Sequence, residues 1–181
     1  DTVVHAGTGV TRLGILQAPP GIDASSLLEA CAERLGRSGL NIATTANIRA
    51  FLWEKLALNC AINPFTALFD CANGEVPEQP GFRSVWPALR MELSAMLAQV
   101  GYPVAADDFQ ARVFDVMHKT RLNISSMLQD VRAGRPTEID DINGFAWRYL
   151  QENGLPHAAN RDLWSRVRSL PCEPTKAGRQ P

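Results

Sequence analysis

A chain of 181 residues, 45% hydrophobic and 20% charged, has an ordinary globular composition and room for one domain or one and a half. Its formal net charge of −1, without any basic run, speaks against a nucleic-acid partner. No apolar stretch approaches the roughly 20 residues that cross a bilayer, so no membrane role is expected.

Four cysteines, Cys31, Cys60, Cys71 and Cys172, form no C-x-x-C pair and read as reduced thiols of a cytoplasmic protein. His5, His118 and His157 are scattered, and no metal site is expected. No signal-peptide pattern opens the chain, and Asp1 rather than a methionine comes first, which suggests a fragment or a processed product.

In chain order, residues 2–17 predict a hairpin: Val3, Val4, Val10, Thr11 and Leu13 favour strands, and Gly7-Thr8-Gly9 supplies the turn. The same glycines in "GTGVTRLG" imitate a nucleotide loop, but the run leads into a strand and offers no helix N-terminus to a pyrophosphate. After Pro19-Pro20-Gly21, Asp23 starts a helix to about residue 37, with Leu27, Leu28, Cys31 and Leu35 on one side. Residues 40–44 suit a short strand. Every later periodic segment is helical: about 47–62, 64–71, 83–100, 106–134, 141–153 and 159–169. The tail at 172–181 reads as disordered. The expected domains are therefore a small α/β piece at 1–46 and a mainly α domain at 47–171.

The stretch "WEKLALNCAINPFTALFDCANGE", residues 53–75, sets the functional question. Lys55, Asn59 and Asn63 recur every four residues and span only about 80° of a helix. Around the remaining arc lie Phe51, Trp53, Leu56, Ala57, Leu58, Cys60, Ala61 and Ile62. Pro64 is expected to end the helix at Asn63. Such a narrow polar stripe is either a solvated face or the lining of a site.

A second polar cluster, "NISSMLQDVRAGRPTEIDDINGF", covers residues 123–145. Ser126 with Gln129 fits a capping box, Thr137 with Asp140 fits another helix start, and Glu138 suits that start by its charge, so capping alone accounts for much of it. Together with the stripe, a different account opens. A lysine, several amides, a hydroxyl and a carboxylate make a set able to hold a small oxo-acid and protonate it.

These residues resemble a known family. "LWEKLALNCAINPFTAL" followed by "NGE", and then the second cluster, are similar to the C-terminal domain of ketopantoate reductase (2-dehydropantoate 2-reductase). The opening "VVHAGTGVTRLG" and "ANIRAFLWEKL" resemble the end of that family's N-terminal domain and the crossing between its domains. The resemblance implies a Rossmann domain followed by a helical domain like that of 6-phosphogluconate dehydrogenase. It also implies reduction of ketopantoate to pantoate with NADPH, on the way to pantothenate and coenzyme A. Lys55 then matches the family's general acid. Asn59, Asn63 and Asn73 match its active-site asparagines, Ser126 the substrate-binding serine, and Glu138 the carboxylate that meets substrate hydroxyl and cofactor.

Two departures accompany the match. Ala158 stands where the family commonly has a proline, and the family's glycine-rich nucleotide loop and its N-terminal-domain asparagine are absent. The 181 residues thus read as the substrate half of a reductase with the last strands of the cofactor half, inactive by themselves. A reductase of another 2-oxo acid and a non-catalytic helical oligomerisation module stay open. A hairpin without neighbours would offer an edge for pairing with a second copy.

Overall fold

In the computed structural model, which describes residues 9–18 and 20–171, every element after Thr44 is helical, as the periodicity predicts. The chain divides between Trp53 and Glu54 into two units. Among the described residues no helix is long and apolar enough to cross a membrane.

The first unit holds strand β1 (Val10–Leu13), helix α1 (Ala24–Gly36) and strand β2 (Asn41–Thr44). β1 and β2 pair in parallel, Val10 opposite Asn41 and Leu13 opposite Thr44. Parallel neighbours need a crossover, which α1 supplies. This corrects the hairpin: residues 14–17 are not strand, and β1 finds its described partner beyond a helix. Residues 2–8, the expected first arm with most of its turn, lie outside the described residues. α1 begins where Asp23 accepts the N–H groups of Ser25 and Ser26 at 3.1 and 3.3 Å. The Ser26 hydroxyl also donates to Asp23, at 2.6 Å. These bonds, that of the Ser26 hydroxyl foremost, hold the Asp23 carboxyl below its ordinary value.

The second unit is built around helix α2 (Ile48–Phe69), of which it holds the residues from Glu54 on, together with α3 (Pro80–Gln99). α2 does not stop at Asn63 but runs through Pro64, a correction with a specific cause. A proline inside a helix leaves the carbonyl four residues back without its N–H. Here that carbonyl, on Cys60, accepts from the Asn143 side-chain amide at 3.2 Å, so the usual objection to an interior proline is met by another helix. α2 ends when Asp70 turns left-handed (φ 50) and the Cys71 N–H reaches Thr66 O at 3.3 Å.

α4 (Ala106–Lys119) buries Phe109, Val113 and Met117 at four-residue spacing, and α3 lays Phe82, Trp86, Leu89 and Leu93 into the same core. Phe82 meets Phe65 of α2 edge-on at 5.0 Å. The single helix expected over 106–134 is two: α4 stops at Lys119, and α5 (Ser126–Arg132) follows a turn. The turn's backbone is claimed elsewhere. Asn123 O accepts from Asn73 N at 3.0 Å and Arg121 O from Gly74 N at 3.2 Å, tying it to a 3-10 turn at Asn73–Glu78. A 3-10 turn at Glu138–Asp140 leads into α6 (Asn143–Glu152), which packs against α7 (Ala158–Arg168). The segment 172–181, expected as a disordered tail, lies outside the described residues.

Candidate active site

α2 carries Lys55, Asn59 and Asn63 on successive turns, a stripe about 12 Å long at 1.5 Å per residue. Lys55 is exposed, and Asn59 and Asn63 are half-buried. Among the described residues none of the three side chains has a hydrogen bond or an ion pair. The residues on the opposite side, Ala57, Cys60 and Ala61, are fully buried. Burial pushes the Cys60 thiol far up, so it is a neutral core group, not a nucleophile.

From Asn63 a directed chain of hydrogen bonds leads across to α5. The Thr66 hydroxyl donates to Asn63 O at 2.8 Å and therefore has no hydrogen left to give. It must accept from the Ser125 hydroxyl, 2.6 Å away. Ser125 Oγ in turn accepts Leu128 N–H at 3.0 Å, which makes Ser125 the cap of α5. Sequence spacing assigns that cap to Ser126. In the structure Ser126 is the first helical residue, exposed, with its hydroxyl unengaged among the described residues. Both Thr66 and Ser125 are missed by sequence reading. Thr66, three residues after Asn63 on one helix, carries the only local signal.

Asn73 is placed differently from the stripe. Its amide Nδ2 donates to Thr120 Oγ1 at 2.9 Å, Thr120 donates to Val116 O at 2.7 Å, and Asn73 Oδ1 is buried without a partner among the described residues. It ties the 3-10 turn to the end of α4. Glu138 is exposed at the start of its own 3-10 turn, and no hydrogen bond links its side chain to the other candidates. The structure thus joins Asn63, Asn73 and the Ser125–Ser126 pair through the α4–α5 turn and leaves Glu138 separate.

A dinucleotide needs open backbone N–H groups for its pyrophosphate. Those at the start of α1 are filled by Asp23, and the described residues offer no glycine-rich turn from strand into helix, so they do not fit that group. Among them there is also no cluster of three or more His, Cys, Asp or Glu side chains suited to a metal ion.

A family model described as the C-terminal region of ketopantoate reductase PanE/ApbA matches residues 47–170. The 2-dehydropantoate 2-reductase of Shigella flexneri is 36% identical over 178 residues, covering 98% of this chain and 56% of that protein. The enzyme of the same name from Salmonella typhimurium is 38% identical over the same length, with the same coverage. A crystal structure of a PanE/ApbA family ketopantoate reductase from Ralstonia eutropha is similar at a TM-score of 0.78 and 28% identity, over 92% of this chain and 52% of that one. The chain spans about half the length of the curated relatives it matches.

Proposed function

The chain belongs to the ketopantoate reductase PanE/ApbA family through its C-terminal domain, and from that premise we propose that it forms the substrate-binding half of a cytoplasmic, NADPH-dependent 2-dehydropantoate 2-reductase. The reaction is reduction of ketopantoate to pantoate, a step toward pantothenate and coenzyme A. Reducing the ketone takes a hydride at carbon, which the nicotinamide cofactor supplies when bound, and a proton at oxygen. Because the described residues make no pyrophosphate cradle, binding of that cofactor is assigned to the portion of the relatives that this chain does not span.

The residues of this chain have the remaining work. The Lys55 ammonium stabilises the developing alkoxide and gives it a proton. Asn59 and Asn63 offer amides to the carboxylate and keto oxygens, and the Ser126 hydroxyl adds a contact from α5. Glu138 takes the substrate hydroxyl at the cofactor edge. Asn73, engaged by Thr120, supports the turn that carries Ser126. The observation that carries this reading is the stripe itself: a lysine and two amides on one helix face, all unengaged among the described residues, above a fully buried core.

The test is a substrate panel for the enzyme that joins this chain to a nucleotide-binding half. NADPH consumption is expected to be fastest with ketopantoate and slower with 2-oxo acids lacking its hydroxyl. A preference for an oxo-acid without that hydroxyl would replace the substrate assignment, and no reduction of any 2-oxo acid would end it.

A further inference from the structure

A buried polar chain links α3, α7, α6 and α2 behind the stripe, and its direction can be followed group by group. Glu92 of α3 is only 3% exposed, and its carboxyl oxygens accept Ala159 N–H at 2.8 Å and Asn160 N–H at 2.9 Å, the opening amides of α7. Asn160 Nδ2 donates to Glu92 as well, at 2.8 Å, which turns Asn160 Oδ1 the other way. That oxygen accepts from Asn143 Nδ2 at 3.0 Å. The second hydrogen of the same Asn143 nitrogen goes to Cys60 O at 3.2 Å. Three N–H donors converging on Glu92 at one end therefore fix the orientation of two buried amides, and the last one grips the carbonyl that Pro64 leaves open.

Cys60 lies between Asn59 and Asn63, and Pro64 directly follows Asn63. An interior proline pushes aside the carbonyl four residues back and bends the helix there. The direction of the segment bearing Lys55 and Asn59, relative to the turn bearing Asn63, is then set by where that carbonyl is held. We infer that Asn143, oriented by Asn160 and Glu92, is a positioning residue that fixes the course of α2 across Pro64 by holding the Cys60 carbonyl, and so aims Lys55 and Asn59 at the substrate bound against Asn63. This inference rests on the stripe being the substrate site.

Pro64→Ala separates aiming from folding. The alanine restores an N–H that can reach Cys60 O and removes the ring's constraint on the helix, at the cost of the ring's buried methylenes, so the urea midpoint of the variant is measured alongside to show that it is folded. In the enzyme with both halves, Pro64→Ala and Asn143→Leu are each expected to lower kcat on the order of 10–10²-fold, as misplacements of about 1 Å do, with NADPH affinity unchanged. Crystal structures of both variants should show residues 54–60 redirected relative to 64–69. A helix that keeps its line in both, or a redirected helix with kcat unchanged, overturns the inference. If the parent enzyme reduces no 2-oxo acid, the substrate reading has failed instead, and the redirected or unchanged helix still decides whether Asn143 fixes the course of α2.

Discussion

Two adjacent serines stand in different surroundings at the start of α5, and single substitutions separate them. Ser125 is buried, caps the helix and donates to Thr66, so Ser125→Ala should cost about 1 kcal/mol or somewhat more in denaturant unfolding. Ser126 is exposed, and Ser126→Ala should leave unfolding unchanged while raising the KM for ketopantoate. Equal stability losses in the two variants would contradict that division. Cys71 gives a pH signature. Burial above all, then the nearby Glu75 and Asp70 charges, raises its pKa from 9.0 to about 11. The native state keeps a proton that the unfolded chain releases, so this contribution is whole below about pH 9 and is lost as pH climbs through 11. Between about pH 8 and pH 10.5 the urea midpoint of the parent should fall more than that of Cys71→Ala; parallel profiles would show that the thiol is not coupled to folding.

At the scale of elements, the joint between the 3-10 turn at Asn73–Glu78 and the α4–α5 turn depends on a missing side chain. A Cβ on Gly74 would lie 2.6 Å from Arg121 Cβ and 3.0 Å from its Cα, so Gly74→Ala must push the turns' backbones apart. The expected cost is about 1–3 kcal/mol, seen in the unfolding midpoint, with a raised substrate KM because Ser126 moves with the turn. An unchanged midpoint would mean the joint is soft. This joint also marks where sequence reading reaches its limit. Helical periodicity places α1, α3, α6 and α7 to within a few residues, since their apolar faces are local patterns. The break after Lys119 has no proline or glycine to announce it, because it is made by hydrogen bonds to Asn73 and Gly74 some 50 residues earlier. Pro64 misleads in the opposite sense: its local rule ends a helix, whereas α2 continues through it and Asn143, distant in sequence, takes up the carbonyl the proline leaves open. The β1–β2 pairing escapes a local reading for the same reason, as parallel partners are not neighbours in the chain.

At the scale of the molecule, the stripe on α2 is legible because three polar residues at one spacing stand out in an apolar helix. Its supports, Thr66, Ser125, Asn143 and Glu92, come from four segments and acquire meaning only when folded together. Lys55 is the one cation of the stripe. The most direct measurement is single-turnover and steady-state kinetics of Lys55→Ala in the enzyme that joins this chain to its nucleotide-binding half, with NADPH binding measured alongside. Loss of a general acid should lower kcat on the order of 10²–10⁴-fold while the Kd for NADPH stays within about twofold. A variant that keeps near-parental turnover of ketopantoate would contradict the account, because the stripe would then be a solvated helix face.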